Sequence, residues 1–60
     1  MLTEKEIQIL ELRAKKLTQI EVSKKLGISQ AAVSHFEKNA IKKIKEAATA
    51  IEIAKRLKII

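Results

Sequence analysis

The chain has no cysteine, proline, aspartate, tryptophan or tyrosine, and Gly27, His35, Phe36, Asn39 and Met1 are the single examples of their types. Each shortage removes a class of explanation. Without cysteine there is neither a disulfide framework nor a thiolate metal site, and one histidine does not assemble a metal centre alone. Catalysis fails on the same inventory, since there is no second histidine and no glycine-rich phosphate loop. Ser34 and His35 are neighbours, but on a helix their side chains diverge by about 100°, which is no nucleophile–base pair. No cofactor is implied and no small-molecule ligand is evident. One glycine and no proline leave little turn chemistry for a sheet. The apolar runs are too short to span a bilayer and no signal-peptide pattern is present, so we expect a cytosolic protein with no membrane partner.

What remains is rich in Lys, Glu, Ile, Leu and Ala, a composition suited to helices. Sixty residues make one small domain, near the lower size limit for independent folding. Thirteen basic against seven acidic side chains give a net charge of +6. Residues 1–30 carry six basic and four acidic groups (+2), and residues 31–60 carry seven and three (+4). Such an excess favours a polyanionic partner.

The segment from Gln19 to Phe36 predicts a helix-turn-helix. Val22, Leu26, Ile28, Val33 and Phe36 occupy the positions that face inward when two short helices cross steeply. Ser23 is small where they approach most closely. Gly27 stands where the first must end in a left-handed residue, and Ser29 caps the second. Two further caps are legible. Leu2-Thr3-Glu4-Lys5-Glu6-Ile7 and Leu17-Thr18-Gln19-Ile20-Glu21-Val22 each place Thr at the cap, Glu three residues later and an apolar residue on either side. The expected elements are a first helix from about Glu4 to Lys15, a second from about Gln19 to Leu26, and a third from Gln30 to about Leu57. In the first, Ile7, Leu10 and Ala14 form one apolar stripe and Ile9 and Leu12 another, which predicts packing on both sides. Glu4, Lys5, Gln8, Glu11 and Lys15 look solvated.

On the third helix Phe36, Ala40, Ile41, Ile44, Ala47, Ala48, Ile51 and Ala54 share a stripe, opposite Ala31, Ser34, His35, Lys38, Lys42 and Lys45. Val33 through Ile44 are expected to pack on the first two helices, with Glu37 pairing with a nearby Lys or Arg. Ala47, Ala48, Ile51 and Ala54 project beyond, and a second copy of the chain is the expected cover. The alternatives are a tail folded back on the first helix, or a segment belonging to a longer parent protein. The fold class is thus all-α: a helix-turn-helix domain over 1–46 and a continuation of the third helix over 47–60 as a dimerisation segment.

These residues resemble the N-terminal helix-turn-helix of the Tfx family of archaeal DNA-binding transcriptional regulators. The matching features are Leu2-Thr3, Glu6-Ile7, Leu10-Glu11-Leu12-Arg13, Leu17-Thr18-Gln19, Glu21-Val22, Leu26-Gly27-Ile28-Ser29, Ala31, Val33-Ser34 and Glu37-Lys38, continued by Ala40, Ile44 and Ala47. The pattern is similar, more loosely, to the output domains of LuxR-type response regulators and to region 4 of sigma factors. All three resemblances imply double-stranded DNA as partner, read by the third helix.

By that resemblance Ser29, Gln30, Ala31, Ser34, His35 and Lys38 face the major groove. Their chemistry fits in several cases. Gln30 can donate and accept at once, as adenine's N6/N7 edge requires; the alternative is an ordinary polar residue in a first helical turn. Ala31 suits a thymine methyl or gives clearance. Ser34 suits a phosphate or water more than sequence readout. His35 presents a donor or an acceptor, or is simply exposed, and Lys38 reaches guanine or phosphate. Thr18 and Gln19, with free amides opening the second helix, are candidate phosphate ligands. Lys24, Lys25, Lys42 and Lys45 are further basic candidates, while Lys55, Arg56 and Lys58 lie too far along. The competing reading is a protein-interaction module that retains the fold and has little DNA affinity. A membrane-surface role for residues 51–60 is weaker, since that segment has no aromatic anchor.

Overall fold

A computed structural model describes residues 1–59 and shows three helices, α1 (Glu4–Ala14), α2 (Gln19–Leu26) and α3 (Gln30–Arg56), with no strand among the described residues. The expected all-α class and element order are therefore observed. Ile60, the last residue of the expected 47–60 segment, lies outside the described residues.

Local chemistry sets each boundary. Thr3 and Thr18 both close full capping boxes: the hydroxyl accepts from the backbone N–H of Glu6 or Glu21, and that glutamate accepts from the threonine N–H. All three helices then end on a left-handed residue: Lys16 (φ 71°), Gly27 (φ 69°) and Lys58 (φ 60°). In each case the next residue's N–H reaches back five positions: Leu17 to the Leu12 carbonyl, Ile28 to Ser23 and Ile59 to Ala54, at 3.3, 3.1 and 2.9 Å. Terminal carbonyls that would otherwise lack donors are satisfied by this turn.

The turns bring Ile9, Val22 and Val33 together as a fully buried centre, with Leu12, Leu17, Leu26, Ile28 and Phe36 packed around it. All five inward positions read from the helix-turn-helix pattern belong to this core. α1 does pack on both other helices. Its buried residues are Glu6 and Ile9, whereas Ile7 and Leu10 are half-buried and Ala14 is exposed. Polar clasps sit at both ends of the α1–α3 contact. Lys43 Nζ donates to Glu6 Oε1 at 2.8 Å, and Arg13 Nε donates to Glu37 Oε2 at 2.7 Å. The pairing of 6 with 43 and 13 with 37 makes the two helices antiparallel.

The clasp at Lys43 corrects one expectation. Ile44 is 46% exposed and Ile41 40%, so the cover given by the first two helices thins before Ile44. Because α1 begins at Glu4, its first turn meets α3 at Lys43, and nothing in α1 or α2 extends to cover the turns beyond. Ala47, Ala48 and Ile51 are exposed and Ala54 is half-buried. The chain accordingly measures 45 × 18 × 15 Å with a radius of gyration of 14.3 Å, against about 10 Å for a compact globule of this length.

Candidate nucleic-acid interface

Gly27 and Ser29 together aim the start of α3. A Cβ added at Gly27 would meet nothing within 4 Å, so glycine is needed there for its left-handed backbone rather than for space. Two residues later Ser29 Oγ accepts from the Ala32 N–H at 3.0 Å. Ala32 has no side-chain acceptor to return a bond to the Ser29 N–H, so α3 opens without a capping box, and its first amides, at Gln30 and Ala31, have no intrahelical acceptor.

Val33, Phe36 and Ala40 turn inward, which leaves Ala31, Ser34, Lys38 and Lys42 on the far side of α3. Ser29, Gln30, Ala31, His35, Lys38 and Lys42 are exposed and Ser34 is half-buried. The structure thus brings the α3 candidates onto one outward surface. Lys38, Ile41, Lys42 and Lys45 line a shallow depression beside it together with Glu46. Lys24 and Lys25 are exposed at the end of α2.

His35 has a neighbour that the sequence reading missed. Asn39 Nδ2 lies 3.1 Å from His35 Nε2, and with the amide donating, that ring nitrogen is the acceptor. The imidazole also meets the Phe36 ring edge-on, with centroids 6.1 Å apart. The i, i+4 spacing on a polar face was the available signal for this pair.

The start of α2 differs from expectation. The Thr18 amide is not free, since it donates to Glu21 Oε1 at 2.9 Å, and the Glu21 amide donates to Thr18 Oγ1 at 3.1 Å. Donation by the Thr18 backbone N–H, and then by its hydroxyl, holds the Glu21 carboxyl below its ordinary range. The Gln19 and Ile20 amides remain for an outside acceptor. The Gln19 side chain donates to Glu37 Oε1 at 2.6 Å.

Glu37 is the expected partner of a basic residue, and it does more than was expected. One oxygen takes Arg13, the other takes Gln19, and Arg13 Nη1 also donates to the Leu17 carbonyl at 2.8 Å. Arg13, then Gln19, keep the Glu37 carboxylate charged to below its usual range against the opposing effect of burial. This hub fixes α1, the following turn, α2 and α3 to one another on a flank of α3 about 100° from the outward surface. No group of three or more metal-ligating side chains occurs among the described residues.

Residues 8–59 match the family model described as helix-turn-helix. The chain is 46% identical over 56 residues to a protein of Methanocaldococcus jannaschii provisionally named a transcriptional regulatory protein, covering 93% of this chain and 41% of that one. Proteins with the same provisional name in Thermococcus kodakarensis and Pyrococcus furiosus are 50% and 52% identical over 46 residues, 77% of this chain and 30% and 32% of theirs. The chain therefore spans about a third to two fifths of the length of these relatives. No solved structure matches. With the capped turn, the crossed helices and this family match in agreement, the chain belongs to the helix-turn-helix family.

Proposed function

We propose that the chain is a sequence-specific double-stranded DNA-binding element of a transcriptional regulator, with α3 from Ser29 to about Ala40 lying in the major groove. The observation that carries this reading is the outward surface of α3, polar and basic, with the apolar core on its opposite side and the Glu37 hub on its flank. Gln30 and His35 supply base-edge donors and acceptors, Ala31 allows close approach, and Ser34 and Lys38 serve edges or phosphates. Ser29, Gln19 and Lys42 add phosphate contacts, with Thr18 shaping the turn that presents the Gln19 amide. The archaeal relatives and their names support a regulatory role; the Tfx-like branch rests on the sequence resemblance. Binding, not catalysis, is the activity, and the cytosol is its place. No described helix is long and apolar enough to cross a membrane. The active species is a homodimer joined through the part of α3 that the other two helices leave bare.

Selecting bound duplexes from a random DNA pool tests the reading, followed by anisotropy on the winner and a scrambled control. Enrichment of one motif and a preference over the control are expected. Gln30→Ala should lose discrimination at one base pair, by about 1–3 kcal/mol. Equal affinity for every duplex would overturn specific readout. The exposed apolar residues of α3 favour a second reading, a docking helix for another protein. A monomer in sedimentation with no DNA affinity would support it.

A further inference from the structure

The direction of the outward surface restricts how two copies can pair. On a helix turning about 100° per residue, Ala31, Ser34, Lys38 and Lys42 centre about 150° away from the stripe Ala47, Ala48, Ile51 and Ala54. If two chains met squarely through that stripe, their reading surfaces would face largely opposite ways and could not share one side of a duplex. Three of the bare isoleucines on α3 define a different line, which Ile53, 47% exposed, does not share. Ile41, Ile44 and Ile51 are 40%, 46% and 49% exposed, and with exposed Ala48 they follow a 3-4-3 spacing. That line lies about 100° from the reading surface.

We infer that α3 pairs with α3 of a second copy in antiparallel fashion through Ile41, Ile44, Ala48 and Ile51, about a two-fold axis beside Ala48. The inference rests on the DNA-binding reading, because it uses the requirement that both surfaces meet one duplex. Three observations lead to the same arrangement. First, antiparallel pairing sets Ile44 against Ile51 of the second copy twice, with Ala48 facing Ala48 between them. Second, Lys45 and Glu52 flank the seam on the DNA side, and each meets the opposite charge on the other chain. In the single chain Glu52 has only an exposed i, i+4 contact with Arg56 at 3.9 Å, a weak competitor. Parallel pairing would instead stack Lys55 on Lys55 and leave Lys45 and Glu52 facing alanines. Third, a two-fold axis perpendicular to antiparallel helices turns both reading surfaces to the same side, whereas parallel pairing turns them apart. The arrangement separates the two Ser34 positions by roughly 40 Å along the helices, of the order of one duplex turn.

The absence of native cysteine makes the test direct. Full-length I44C and I51C, both at exposed sites, are oxidised separately and as a mixture without DNA. The mixture should give the 44–51 disulfide dimer as its main product, with little self-linkage of either variant. Self-linkage of each variant alone, or no linkage in the mixture, would overturn the antiparallel seam. In sedimentation, K45E should weaken self-association by about tenfold, and the K45E/E52K double variant should restore it. Failure of that rescue would also count against the arrangement. Anisotropy with DNA, run on the unmodified chain, separates the two ideas: linkage without DNA binding would sink the functional reading and leave the seam, and DNA binding without linkage the reverse.

Discussion

Three helices stop on the same left-handed turn, but only one uses glycine. Lys16 and Lys58 carry a Cβ into a conformation that costs an L-residue about 1–2 kcal/mol, while Gly27 reaches it freely. Lys16→Gly should therefore raise stability by about 1 kcal/mol, and Gly27→Ala should lower it by a similar amount. Midpoints of urea unfolding at constant slope check both; a loss for Lys16→Gly would show that the lysine makes a compensating contact. Single residues also set the acid response. The Lys43 ammonium and then the Thr3 amide lower the Glu6 carboxyl from 4.5 to about 2, and Glu21 and Glu37 are held low as well. Carboxylates that bind protons less readily when folded stabilise the fold above their unfolded value and lose that contribution as they protonate. Unfolding midpoints should thus be level near neutral pH and fall between about pH 4.5 and 2. A flat profile across that window would remove these bonds from the account.

Between elements, the Arg13–Glu37–Gln19 hub joins what the small apolar core alone holds loosely. Glu37→Gln keeps the shape but leaves Arg13 without its counter-charge, and should cost about 1–3 kcal/mol. Because Glu37 ties α3 to the other two helices beside the proposed reading surface, the same substitution should also weaken DNA binding while the variant is still folded. Helix content by circular dichroism and anisotropy at one temperature distinguish the two losses. That Glu37 would find a basic partner was legible, since it sits beside the apolar stripe of a basic helix. That the partner is Arg13 was not: the choice depends on α1 running antiparallel to α3, which no local pattern specifies. Lys43 is a similar case. It reads as one more surface lysine, and only the closure of α1 onto α3 puts Glu6 in its reach.

At the scale of the molecule, a +6 chain that contacts phosphates should release counterions. Binding to the selected site should fall by on the order of 10³-fold between about 50 and about 200 mM salt. Affinity that survives that change would place the basic side chains outside the contact. The antiparallel seam adds a symmetry expectation: selected sites should be inverted repeats with half-site centres about one turn apart. Direct repeats would sink it.

The sequence alone determined the three helices, their caps, the inward set Val22, Leu26, Ile28, Val33 and Phe36, and the outward α3 candidates. All of these depend on chemistry within four or five residues, or on a 3.6-residue period. It also foresaw that the end of α3 would lack cover, since a domain this small has too little chain to clothe a helix of that length. Tertiary structure decided what distance in sequence conceals. It tied Gln19 to Glu37 and turned Lys43 in to Glu6 while Ile44 stayed largely out. It also decided which isoleucines of α3 stay bare, because that depends on which face of α3 the other two helices occupy.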